Sequence, residues 1–138
     1  IQENFFVLYG DSLLQISFFE VEKFFLSQRK PALMTIFKNN DDFDKSNVEY
    51  LDGEILLYSK SNINKKMNYI DYGLSIFNKS VFKNYVKGEK FDISDLMESL
   101  SIKGELSSYK TNKRFYEIGS IKGYKELKDK FEKNGNNI

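Results

Sequence analysis

The run Phe5-Phe6-Val7-Leu8-Tyr9, closed at once by Gly10-Asp11-Ser12, constrains this chain more than any other segment. Consecutive apolar, aromatic and β-branched residues without alternation are the pattern of a strand buried on both faces that ends in a tight turn. Such a strand reads as central and parallel. Ser17-Phe18-Phe19-Glu20 then has the spacing of a capping box, in which the Ser oxygen and the Glu side chain satisfy reciprocal backbone donors ahead of Val21, Phe24 and Phe25. This spacing predicts a helix over 18–27. After Pro31, residues 32–37 (ALMTIF) form a second short apolar run, so strand, helix and strand succeed one another as in the βαβ unit of a parallel sheet. The fold class is α/β.

Residues 38–47 are a polar loop rich in Asn and Asp. Val48-Glu49-Tyr50-Leu51 and Glu54-Ile55-Leu56-Leu57-Tyr58 flank Asp52-Gly53, a pair suited to the positive φ values of a type I′ hairpin turn. Residues 59–67 read as loop and 69–77 as a further strand, interrupted by Asp71 and Gly73. Residues 81–86 suit one or two helical turns. Ile93, Leu96, Met97 and Leu100 recur at helical spacing behind Asp92 as N-cap, and Gly104 closes that helix. Two short strands at 106–109 and 115–118 and a last helix over 121–132 complete the chain. The domain is expected to span 1–133, with a frayed polar tail at 134–138.

At 138 residues the chain is one domain or part of one, given roughly 150 residues for a typical domain. Twenty-one basic against 20 acidic residues leave a net charge of +1, which disfavours nucleic acid as the partner. No apolar run is long enough for a membrane span, and no signal-like leader is present, so a cytoplasmic location follows by default. The absence of Cys and His excludes disulfides, Cys/His zinc sites, thiol nucleophiles and His-based triads. Chemistry must therefore run on carboxylates, Lys, Tyr and Ser. The chain opens with Ile rather than Met and enters its first strand almost at once, which suggests a piece of a longer protein.

Two carboxylates fall at strand ends, where open α/β sheets bind ligands: Asp11 after the first run and Glu117 near the end of another. Both could hold a divalent cation. Read from spacing alone, an Asx-turn at Asp11 and an edge strand turning Glu117 to water are the favoured readings. Lys60, just past the hairpin, could take a phosphate as a mobile point charge, or could be one of many solvated lysines. Gly73 within a strand marks either close approach by a ligand or a bulge.

Taken in order, FFVLYGDS, Tyr58-Ser59-Lys60, Ile70-Asp71-Tyr72-Gly73 and Phe115-Tyr116-Glu117-Ile118-Gly119-Ser120 with a closing helix resemble the sugar-phosphate nucleotidyltransferase family. The likeness is closest in type to the mannose- and heptose-1-phosphate guanylyltransferases. It implies part of a Rossmann-like mixed sheet flanked by helices. It also implies transfer of a nucleoside monophosphate from a nucleoside triphosphate, GTP by subfamily likeness, to a mannose- or heptose-type sugar 1-phosphate. By the same resemblance Asp11 and Glu117 hold a catalytic Mg²⁺, Lys60 holds the sugar phosphate, and Asp71 and Gly73 line the sugar pocket. Ser59 stands where the family usually has an acid, and Asp71 where it usually has Asn. The family's Gly-rich nucleotide loop has no counterpart in the 138 residues. The chain is then expected to be the C-terminal, sugar-phosphate- and metal-binding part of the enzyme, inactive by itself. The first strand would lack neighbours on one side and expose an apolar edge, so the isolated chain is expected to self-associate, including as a homo-oligomer, or to be marginally stable. The alternatives are a non-catalytic module that binds sugar phosphates or nucleotide sugars, and an interaction domain whose aromatic surface packs on a partner.

Overall fold

The computed structural model describes residues 3–86 and 88–135. Its elements run β1 (Asn4–Leu8), β2 (Ser12–Leu13), α1 (Phe18–Ser27), β3 (Ala32–Lys38), β4 (Val48–Leu51), β5 (Glu54–Tyr58), β6 (Tyr69–Asn78), α2 (Ile93–Ile102), β7 (Leu106–Thr111), β8 (Tyr116–Glu117) and α3 (Ile121–Gly135). Five strands form a mixed sheet in the order β5-β4-β6-β3-β7, and β1 also pairs with β6. The β3–β7 pair is parallel; β6 runs antiparallel to β1, β3 and β4.

Local chemistry explains most boundaries. Ser17 Oγ accepts from the Glu20 N–H at 3.3 Å at the start of α1, and the Asp92 carboxylate accepts from the Ser94 N–H at 2.8 Å at the start of α2. α2 ends in a Schellman motif: the Gly104 N–H donates to Ser101 O and the Glu105 N–H to Leu100 O, with Gly104 at φ 70°. Asp52 and Gly53 turn the β4–β5 hairpin at φ 50° and 94°, as the type I′ reading requires. The two sheet faces are both covered. Val21 and Phe25 of α1 pack with Leu33, Leu74 and Ile76 on one side; Leu96, Met97 and Leu100 of α2 pack with Met34, Ile36 and Phe77 on the other. That double cover is why residues 32–36 of β3 are buried on both faces, with Thr35 as the one polar member, its hydroxyl donating to Leu74 O at 2.7 Å.

Four expectations change. β1 is not a central parallel strand but lies at an edge, antiparallel to β6, with Phe6 and Leu8 exposed at 37% and 47%. β6 is inserted between β1 and β3, so the strand–helix–strand unit skips one position; an apolar run records burial, not the direction of its neighbours. Residues 79–82 form a 3₁₀ turn where a longer helix was expected over 81–86. The strand at 115–118 shrinks to Tyr116–Glu117 and pairs with β2, which the sequence did not announce. α3 runs on through Gly135, past the expected start of the tail at 134; residues 136–138 lie outside those described. Among the described residues no helix is long and apolar enough to cross a membrane.

The outer edge of β1 carries no strand among the described residues, and Phe19 and Leu26 of α1 are exposed on the covering layer. Sedimentation of the isolated chain is expected to show association that the pair Phe6→Lys and Leu8→Lys reduces, because charge on an apolar edge opposes strand addition. A wild-type chain that stays monomeric at high concentration contradicts this.

Candidate functional site

The site is set by what happens along the outer edge of β6. β4 pairs there only at Tyr69, and β1 only at residues 74–78, so residues 70–73 have no neighbouring strand on that side. Two side chains and one backbone donor take over the ladder in the gap. Asn47 Oδ1 accepts from the Asp71 N–H at 3.0 Å, Asp71 Oδ1 accepts from the Gly73 N–H at 2.9 Å, and the Tyr9 N–H donates to Gly73 O at 3.0 Å. The register of β3 on β6 also slips between Met34 and Ile36, so β6 bulges around Gly73 at φ 96°. A Cβ on Gly73 would lie 3.0 Å from Tyr9 Cδ2, so glycine is required twice over, by the backbone and by the ring above it.

A cleft of about 500 Å³ opens at this gap, lined among others by Tyr9, Asp11, Asn47, Lys60, Asp71 and Glu117. Four of the five residues expected at the site thus share one cavity. Gly73 is not on its wall; it supports Tyr9, which is. Ser59 is fully buried and turns the loop, accepting from the Asn62 N–H at 2.9 Å.

The carboxylate pair is assembled by the short β2–β8 pairing. Ser12 stands opposite Glu117, and the Ile118 N–H donates to Asp11 O at 3.0 Å, which carries Asp11 and Glu117 to the same end of the cleft. Each carboxylate has one oxygen held by a serine: Ser12 Oγ donates to Asp11 Oδ1 at 3.2 Å and Ser120 Oγ to Glu117 Oε1 at 2.6 Å. The other oxygens converge over Gly119, where a Cβ would lie 2.9 Å from Glu117 Oε2 and 3.1 Å from Asp11 Oδ2. Ser120 also caps α3, accepting from the Gly123 N–H at 2.9 Å. A cradle between two carboxylate oxygens, kept open by a glycine, fits Mg²⁺, which takes one or two protein carboxylates and completes its shell with waters and substrate phosphates. No third acidic ligand joins the pair among the described residues.

Beside the pair lies a buried polar group. The Tyr9 hydroxyl donates to Asp71 Oδ2 at 2.5 Å, and the Tyr58 hydroxyl is buried without a hydrogen-bond partner among the described residues. Burial pushes the Asp71 carboxyl above its usual range, against the Tyr9 and Gly73 hydrogen bonds and the Lys60 charge, which pull it down. Burial first, then the negative charge of Asp71, raises Tyr9 and Tyr58 too, so both phenols stay protonated. Lys60 Nζ lies 5.8 Å from the centre of the Tyr9 ring, a cation held against the aromatic face.

A raised Asp71 in the folded state means that folding favours the protonated acid. Its contribution to stability is full below the unfolded-state value of 3.8 and is lost as pH rises through the higher folded value. Denaturant midpoints of wild type and Asp71→Asn, compared across that window, are expected to diverge in favour of the variant as pH rises. A pH-independent difference would count against the raised carboxyl. Asp41 and Asp92 are shifted the other way, chiefly by hydrogen bonds from Ser46 and Ser94, but they are exposed and common to both proteins.

Sequence reasoning missed several wall residues. Arg114 lies between the rings of Phe43 (4.2 Å) and Tyr116 (4.8 Å) and pairs with Glu126 of α3. Phe43, Tyr72 and Phe115 pack with Phe37 into an aromatic wall. Aromatic residues abound throughout the chain, so nothing in their spacing marked these.

No protein-family model and no curated protein sequence matches the chain. Solved structures do. An inositol-1-phosphate CTP transferase from T. maritima superposes with a TM-score of 0.67 at 20% identity, over 89% of this chain and 52% of that one. HddC from Yersinia pseudotuberculosis, solved with GMP-PN, gives 0.67 at 19% identity, over 94% and 56%. A UDP-glucose pyrophosphorylase solved with UDP-glucose gives 0.74 at 18% identity, over 96% and 57%. The chain has the fold of the sugar-phosphate nucleotidyltransferases, and spans a little over half the length of each of these proteins.

Proposed function

We propose that this chain forms the sugar-phosphate- and metal-binding half of a sugar-1-phosphate nucleotidyltransferase. The observation that carries the reading is the convergence of Asp11 and Glu117 over Gly119, in the same cleft as Lys60 and Asp71. The likeness of fold supports it, because proteins that handle inositol 1-phosphate and UDP-glucose share this sheet. A manno- or heptose-type sugar and guanine follow from the motif resemblance alone; the matched structures include one with GMP-PN, a CTP transferase and a complex with UDP-glucose, and so favour no single base.

In the proposed reaction a sugar-1-phosphate oxygen attacks the α-phosphorus of a nucleoside triphosphate. One P–O bond forms, the bond to pyrophosphate breaks, and a nucleotide sugar results. The nucleophile is already ionised, so no base is needed and the lack of His and Cys costs nothing. Catalysis is then positioning and charge neutralisation. Asp11 and Glu117 would hold Mg²⁺, which when bound neutralises charge on phosphate oxygens. Lys60 places a positive charge by the incoming phosphate, and Tyr9, pinned between Asp71 and Gly73, fixes where that ammonium rests. The aromatic wall of Phe43, Tyr72 and Phe115 excludes water from one side of the cleft.

The test is an assay of the intact protein that contains this chain, with Mg²⁺ and a panel of sugar 1-phosphates and nucleoside triphosphates. Metal-dependent pyrophosphate release with one pair is expected. Calorimetric binding of a sugar phosphate without any pyrophosphate release would instead establish a non-catalytic binding module.

A further inference from the structure

Asn47 stands where β4 leaves β6, and it is held at three points. Its N–H donates to Tyr69 O at 2.9 Å and its C=O accepts from the Ser59 N–H at 3.0 Å. Its side-chain Oδ1 accepts from the Asp71 N–H at 3.0 Å, replacing the ladder partner that the gap removes. That third bond decides which end of the amide is which. Oδ1 is committed to β6, and Nδ2 retains two donors with no acceptor among the described residues, on a residue that lines the cleft. Asp71 is in the opposite condition. Each of its oxygens already accepts a hydrogen bond, from Tyr9 and from Gly73, and the residue is 8% exposed.

We propose that Asn47 is a specificity-determining residue of this site, its Nδ2 donating to a hydroxyl oxygen of the bound sugar phosphate while Asp71 acts as a positioning residue that holds Tyr9. This rests on the sugar-phosphate reading given above. The Tyr9–Asp71 pair lies between the two groups: Lys60 sits over the Tyr9 ring and Asn47 holds the Asp71 N–H. A phosphate on Lys60 therefore leaves the polyol of the same molecule over the gap that Asn47 borders. The group met there must be an acceptor. A hydroxyl oxygen satisfies Nδ2, an amino group that is protonated repels it, and a deoxy position leaves the donor unpaired once water is displaced. A donor anchored by its own backbone and by β6 loses little freedom on binding, which makes its contribution large for a single hydrogen bond.

Two variants separate this role from support of β6. Asn47→Ala removes the donor without adding charge; Asn47→Asp retains an acceptor for the Asp71 N–H and removes the donor. Binding of hexose 1-phosphates, their single-deoxy analogues and inorganic phosphate is measured by calorimetry on the intact protein. Wild type is expected to bind one parent hexose phosphate more tightly than one of its deoxy analogues. Both variants are expected to weaken the parent by roughly 10- to 100-fold and to lose that discrimination, with inorganic phosphate affected far less. Three results overturn the proposal: equal affinity of variants and wild type for the parent, an equal loss for inorganic phosphate, or a wild type that binds every deoxy analogue as well as the parent. Sugar-phosphate binding with these ratios but without pyrophosphate release sinks only the transfer reaction, whereas no hexose phosphate binding at all sinks both.

Discussion

Asp11→Ala or Glu117→Ala in the intact protein is expected to lower turnover by about 10²- to 10³-fold or more, the scale of losing one preorganised charge-stabilising group. Stability should barely move. Asp11 is exposed and Glu117 half-buried at the rim, neither contributes to the clusters of buried apolar residues, and surface substitutions of this kind usually stay within about 0.5 kcal/mol. Removing one acid also relieves the repulsion between the pair. The informative combination is a normal melting curve, lost turnover and a raised requirement for Mg²⁺. Near-normal turnover in either variant refutes the assignment of the cation to these two carboxylates.

The second large effect concerns glycines. A Cβ on Gly123, in the first turn of α3, would stand 2.3 Å from both the backbone oxygen and Oε1 of Glu117. The backbone oxygen cannot rotate away, so Gly123→Ala must push α3 off β8 or drive the Glu117 side chain out of its bond with Ser120. A Cβ on Gly119 would occupy the space between the two free carboxylate oxygens. Both variants are expected to cost about 10- to 100-fold in divalent-cation affinity, read by Mn²⁺ titration, the size of effect seen when groups around metal ligands are disturbed. Gly10→Ala is the control: it is adjacent to Asp11, yet nothing lies within 4 Å of its added Cβ. Equal cation affinity across all three variants would show that the cradle over Gly119 is not where the cation binds.

Much of the local structure was legible in the sequence because it depends on neighbours within a few residues. Ser17 and Glu20, Asp52 and Gly53, and Asp92 with Gly104 specify a helix start, a hairpin turn and a capped helix through backbone donors and φ values that these residues satisfy themselves. The order of four short motifs also pointed to the fold family, and it named four residues that share the cleft. Asp71 and Gly73, read as interruptions of a strand, are capping groups of the gap in the ladder and the seat of a ring.

What the sequence by itself determined is where most of the longer strands and helices lie and which carboxylates fall near their ends; the two-residue β2 and the 3₁₀ turn at 79–82 were not among them. The tertiary structure decided the rest. It alone placed β6 between β1 and β3, turned a central parallel strand into an antiparallel edge, and brought Ser12 opposite Glu117 through a two-residue pairing. A pairing that short has no period to read, and its partners are far apart in the chain. Asn47 and Gly123 were silent for the same physical reason. Their significance lies in a backbone donor on another strand and in a carboxylate on another element, and such contacts exist only once the sheet has closed around them.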